Sequence, residues 1–293
     1  MRKISPKRNG RFVWLLLLFL LVGYFLFVFV RSVTHSLIFL KKDRLNLVFY
    51  GKNTVFLSLG LNDGVYYQIP YRNDLLVTIP GGYGTYKIGS LGRLSELEKN
   101  PALIQKTFSY STSSMVDFYF YPKKTQVYSD TTVLSAIESI PRFQTVLSFN
   151  YRSNGSLFER AVLFFVLVGK RRSDFIELNT QELGRGTYQG YFYQKSFRTE
   201  GKKVSLLYTH YATAHRLAQI LEGEGIRVVD LSSTNEKENC IIKDTFDGGK
   251  PSLTSRYLAH VFSCPIGRKK ENDVVKSDIT IVLDERIEKE WEL

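Results

Sequence analysis

The chain has 293 residues, room for a membrane anchor and one or two domains. Apolar residues make up 44% of it and the formal net charge is +12, which excludes a largely disordered chain and turns the surface toward polyanions: phosphate-bearing lipid, anionic glycopolymer or nucleic acid. No Lys/Arg stripe is interleaved with aromatics, so no nucleic-acid partner is expected.

Residues 1–11 are a basic segment carrying Arg2, Lys3, Lys7, Arg8 and Arg11. Phe12–Val30 comes next as 19 residues without a charge, about 28 Å of helix and close to the hydrocarbon thickness of a bilayer. Trp14 suits the headgroup level, and the basic flank places the N-terminus in the cytoplasm by the positive-inside rule. A signal peptide would have a shorter apolar region, about 7–15 residues, and a small-x-small cleavage site. "RSVTHS" after Val30 is a poor site, so residues 12–30 are expected to be an uncleaved single-pass anchor in the cell membrane, with the domains C-terminal to it extracytoplasmic. Ala161–Gly169 is apolar but too short to span.

Residues 31–45 form a juxtamembrane connector. "NLVFY" and "NTVFLSLG" then predict two strands, and "GVYYQIP" and "DLLVTIP" two more, linked by the turn formers Tyr71-Arg72-Asn73-Asp74. "GGYG" at Gly81–Gly84 fits a turn with positive φ angles better than a phosphate cradle, and it lacks the Gly-Lys-Ser/Thr ending of a P-loop. From Leu91 to about Tyr110 the apolar spacing is helical, with a break at Pro101. "MVDFYFYP" predicts a strand, Thr131–Ile140 a short helix, "FQTVLSFNY" a strand, "SLFERAVLFFVLVG" a helix or a buried strand, and "GTYQGYFYQKS" aromatic β alternation. This first α/β unit is closed at 198, where "SFRTEGKK" marks a polar boundary.

Residues 199–293 predict a small βαββαβ unit. Its strands are "KVSLLYT", "IRVVDLS", "CIIKD" and "SDITIVLD". Its helices carry Ala214, Leu217, Ala218 and Leu221, then Leu253, Tyr257, Leu258, Val261 and Phe262, each set on one face. Cys240 and Cys264 are either bridged or two buried thiols; export and the even count favour the bridge. The four histidines show no metal-ligand spacing.

Two segments resemble a known family. "VSLLYTHYATAHRLAQILEGEGIRVVDLSS", Val204–Ser233, with the closing "SDITIVLD", is similar to the LytR-type C-terminal domain. "IPYRNDLLVTIPGGYGTYKIGSL", Ile69–Leu91, looks like the Ile-Pro-Arg-Asp, Ile-Pro-Gly-x-Gly and Lys pattern of LytR–CpsA–Psr proteins, with residues inserted between Pro70 and Asp74. "VDFYFYP", Val116–Pro122, is similar to that family's Asp-Tyr-Tyr motif. The resemblance implies an α/β domain over residues 46–198 that handles a polyprenyl-pyrophosphate-linked glycopolymer in cell-wall biogenesis. By motif match Arg72 and Asp74 would be the catalytic pair, Asp74 would hold a magnesium ion, and Lys87 would bind substrate. The family's earlier acidic motif and its later arginine-rich motif are missing, and Arg142, Arg152 and Arg160 match nothing. The expectation is therefore a diverged member, degenerate at the active site. If active, it would be a magnesium-dependent transferase. The alternative is an envelope binding or scaffold protein whose basic ectodomain holds anionic polymer or a partner protein, with Arg72 and Asp74 in a solvated hairpin turn.

Overall fold

The computed structural model describes residues 9–34, 36, 40, 42–123, 144–178, 188–234, 239–269 and 277–292. Helix α1 (Asn9–Thr34) holds the apolar N-terminal segment. Its side chains are described without a break only from Val13 to Phe27, and among the described residues no helix is long and apolar enough to cross a membrane.

Strands β1 (Arg44–Phe49) and β2 (Thr54–Gly60) form an antiparallel pair, and β3 (Tyr66–Tyr71) continues the meander. The next strand departs from that sheet. β4 (Leu76–Ile79) pairs with β5 (Gly84–Lys87) in a separate hairpin closed by the glycine turn. Helices α2 (Ile88–Leu97) and α3 (Ala102–Thr112) come after it, with Pro101 at the N-cap of the second as its missing N–H permits. β6 (Phe118–Pro122) returns parallel to β1.

Two expectations fail beyond this point. "FQTVLSFNY" begins as a helical turn, α4 (Gln144–Leu147), before β7 (Tyr151–Ser153). The buried Arg160 guanidinium donates to the carbonyls of Val146 at 2.5 Å and Ser148 at 2.6 Å, supplying the end of α4 with partners the local sequence does not announce. "GTYQGYFYQKS" has turns over Tyr188–Phe192, not a strand. Tyr188 and Phe192 are buried as plugs against the sheet, so the aromatic spacing serves packing, not pleat. Helix α5 (Leu157–Leu167) resolves its helix-or-strand ambiguity through a capping box: Ser156 accepts from the Glu159 amide and Glu159 from the Ser156 amide. β8 (Phe175–Glu177) completes a sheet of order β7-β6-β1-β2-β3-β8. The helix drawn from sequence over Thr131–Ile140, and Arg142, lie outside the described residues.

Helix α6 (Lys195–Glu200) leads into the second unit, β9 (Lys203–Tyr208), α7 (Tyr211–Gly223), β10 (Arg227–Ser233), β11 (Ile241–Asp244), α8 (Leu253–Phe262), β12 (Ile266–Arg268), β13 (Ile279–Val282) and α9 (Glu285–Glu290). Its sheet order is β10-β9-β13-β11-β12. β12 and α9 extend the expected βαββαβ order. Cys240, before β11, and Cys264, after α8, are disulfide-bonded with Cα atoms 5.5 Å apart.

Period-two alternation gives the first sheet two buried faces. Leu45, Leu47 and Phe49 of β1 join a core that continues through Val204, Leu217 and Ile281 of the second unit. Val48 and Tyr50 face a separate core under α2, α3 and the β4–β5 hairpin. The two units meet closely at α7 and the end of α3. A Cβ at Gly223 would stand 1.7 Å from the Ser113 carbonyl oxygen, a backbone atom that cannot step aside. Gly223→Ala should therefore cost at least about 2 kcal/mol in denaturant unfolding, and an unchanged midpoint would show that this seam is not fixed.

Candidate functional site

The structure brings Arg72, Asp74 and Lys87 to one rim. Arg72 and Asp74 lie in the turn after β3. The turn is tied to the start of α2 by the Ile88 amide on the Leu75 carbonyl and the Gly89 amide on that of Asn73, both 2.9 Å. This places Lys87, the last residue of β5, close enough for its charge to act on Asp74. The Arg72 guanidinium grips Asp74 in a two-point fork, Nε to Oδ1 at 2.9 Å and a terminal nitrogen to Oδ2 at 2.5 Å. That hydrogen-bonded pairing holds the Asp74 carboxyl below the usual carboxylate range and raises the Arg72 guanidinium.

The pair is open to solvent: the two side chains are 51% and 44% exposed. Among the described residues, hollows stand elsewhere, three of them as follows. A crevice of about 180 Å³ separates α3 from α8 and α9 beside Lys106, Arg286 and Trp291. Wider hollows of about 350 Å³ and about 430 Å³ lie beside His210 and Glu288, and beside Arg198 and Arg227. Arg72, Asp74 and Lys87 line none of the three. Both Asp74 carboxylate oxygens accept from Arg72, and among the described residues no group of three or more His, Cys, Asp or Glu could hold a metal.

The glycine turn also differs from a phosphate cradle. Gly81 and Gly82 have φ of +97° and +75°, which aims their amides at one point. That point is occupied by the chain itself, for the Glu292 carbonyl accepts from Gly81 at 2.6 Å and from Gly82 at 3.2 Å. Lys106 meets the Glu290 carboxylate at 2.7 Å and lies over the Trp291 ring, so the end of the second unit is strapped onto the first.

A buried polar cluster elsewhere is one the sequence does not reveal. Lys42 is buried, with its ammonium 2.6 Å from Asp117 and 3.7 Å from Glu224. It also reaches the Tyr257 hydroxyl at 3.4 Å and sits over that ring. Tyr257 donates to Glu224 at 2.9 Å, and Asp117 accepts from the Asn46 amide at 2.9 Å. Gln194 ties the same place together, accepting from the Arg44 amide and donating to the Arg44 carbonyl, while its own amide donates to the Glu224 carbonyl. The members lie in the connector, before β6, after α7 and in α8. Sequence spacing carries no signal of such a meeting.

Burial dominates the titration of Glu224 and raises it to about 7. The nearby Lys42 charge opposes the shift, and Asp117 adds to it. Burial likewise pushes the Tyr257 hydroxyl well up. Glu224 lies farther from Lys42 than Asp117 does, so the Lys42 charge offsets only part of its burial. Its native value lies above the ordinary 4.5, so its contribution to stability is complete below about pH 4.5 and is lost as pH rises through about 7. Stability should fall on the order of 3 kcal/mol between pH 5 and 8 from this group. Glu224→Gln should flatten that part of the profile in denaturant unfolding at each pH. A variant that keeps the wild-type slope would remove Glu224 as its source.

No protein-family profile matches the chain, and no curated protein does. Solved structures do. The chain is similar to TagT of B. subtilis at 16% identity over 47% of this chain and 78% of that one, with a TM-score of 0.32. It is similar to TagV of B. subtilis at 11% identity over 47% and 85%, with a TM-score of 0.33. A LytR-CPS2A-psr family protein, YwtF (TagT) with octaprenyl pyrophosphate lipid bound, shares 13% identity over 86% of this chain and 88% of that one, with a TM-score of 0.24. These neighbours come from the family whose motifs the sequence resembles; nothing about this chain's chemistry rests on likeness of that degree.

Proposed function

We propose that this chain is a single-pass, membrane-anchored protein of the cell envelope, with its folded part outside the cytoplasm. There it holds an anionic envelope polymer or a polyprenyl-pyrophosphate lipid without transferring it through Arg72 and Asp74. One observation carries the anchor. The described side chains of α1 from Val13 onward are apolar and exposed on every side, Trp14 at 76% and Phe19 at 78%. A helix apolar all round needs a protein core or a bilayer. The sequence continues the uncharged run to 19 residues, Phe12–Val30, enough for the hydrocarbon. The Cys240–Cys264 bond supports the compartment, because a disulfide persists on the oxidising side of a membrane. The solvated Arg72–Asp74 pair supports the absence of chemistry there. A guanidinium neutralised by its neighbour and wet on both sides offers a pyrophosphate little that water does not.

Alkaline carbonate should leave the full chain in the membrane fraction, and external protease should reach its C-terminal part in intact cells; release by carbonate would overturn the anchor. In a transfer assay with lipid-pyrophosphate substrate and magnesium, Arg72→Ala should match the wild type. A loss of a hundredfold or more would return Arg72 to catalysis.

A further inference from the structure

Helix α5 has two apolar faces. One, with Leu163 and Leu167, packs into the core shared by the two units. The other repeats at helical spacing through Leu157, Ala161, Phe165 and Val168, with Leu157, Phe165 and Val168 exposed. Phe149, in the turn after α4, is exposed at 71%. An 11-residue helix, LFERAVLFFVL, whose only charged side chains, Glu159 and Arg160, are both turned inward has no polar side for water. Two observations bring α5 close to α1 and to basic charge. Helix α1 contacts α5, and the Ser36 hydroxyl, just past the end of α1, donates to Glu159 at 2.9 Å. Exposed Arg171 and Arg172 lie four and five residues past the end of α5, with Arg172 paired to Glu177 at 3.0 Å, and carry basic side chains near that end of the helix.

We propose that the outer face of α5, with Phe149, rests in the interfacial layer of the same bilayer that α1 enters, so that the ectodomain lies down on the membrane instead of standing off it. The proposal rests on the anchor reading and adds an orientation to it. The buried apolar face supplies the adhesion, and the Ser36–Glu159 contact sets the reach.

The native cysteines are bridged and 5% exposed, so a single new thiol can be labelled in the full chain. Phe165→Cys, Phe149→Cys and, as control, Tyr86→Cys are each given an environment-sensitive fluorophore and placed in phosphatidylcholine–phosphatidylglycerol nanodiscs. Tyr86 lies in the β4–β5 hairpin, against the core on the opposite face of the six-stranded sheet. Labels at 165 and 149 should lose more than half their emission to lipids carrying a nitroxide near the headgroup and be at least fivefold less sensitive to aqueous iodide than the label at 86. Iodide sensitivity equal to that at 86 would overturn the proposal, and so would protection from both quenchers, which would mean that protein covers the face. Position 149 lies outside the helix and keeps the test valid if Phe165→Cys misfolds. A chain that carbonate releases fails as an anchored protein and takes this proposal with it, whereas an anchored chain with wet labels loses only the docking.

Discussion

The fold hangs on one buried ammonium. Lys42 has left water entirely, and a charge so placed is tolerated only where opposite charge and hydrogen bonds replace its hydration. Asp117 supplies the charge, while Glu224 and Tyr257 supply the remaining contacts. These groups come from four places far apart in the chain, so satisfying the ammonium requires the connector, the first sheet and the second unit to be assembled at once. Such a cluster adds little net stability over an apolar core of the same volume; its effect is to penalise every arrangement that leaves Lys42 or Asp117 alone.

The rest of the seam is consistent with a rigid junction. Gly223 lets α7 touch the backbone at Ser113, which only a residue without a Cβ permits. Arg216 of α7 lies over the Tyr110 ring at 3.8 Å and donates to the Tyr110 carbonyl, covering the end of α3. At the other edge Glu290, Trp291 and Glu292 hold α3 and the glycine turn. Amides that could have cradled a phosphate are thereby spent on the protein's own carbonyl. The amides of the glycine turn thus hold the C-terminal end of the second unit against the first.

What the sequence discloses depends on the range of the interaction responsible. The strands β1, β2, β6, β9 and β13 and the helices α3, α7 and α8 declare themselves by apolar period, a local property. The turn at Arg72–Asp74 and the glycine hairpin are local too, and both are legible. The failures lie where a distant side chain decides. α4 depends on Arg160, and the aromatics near Tyr188 serve as plugs because a sheet more than a hundred residues earlier offers them a surface. The Arg72–Asp74–Lys87 rim is visible as a motif, yet its solvation and self-pairing are properties of the surroundings. Lys42 looks in the sequence like one more positive charge after the span. Nothing local distinguishes a lysine that will be buried from one that will not.

The contrast between Lys42 and Arg72 bears on what the molecule does. Charges become chemically useful where water is excluded, because there the field of a cation is little screened. Lys42 is a water-excluded cation, and its field is consumed by Asp117 and by the seam. The solvated cation is Arg72, whose field is cancelled by its neighbour and screened by solvent. The apolar surface has a complementary pattern: it is buried at the seam and exposed along α1 and the outer face of α5. Removing those two faces from water yields more free energy than the exposed Arg72–Asp74 pair can offer a ligand. Under the anchor proposed above, contact with lipid is what takes these apolar faces out of water.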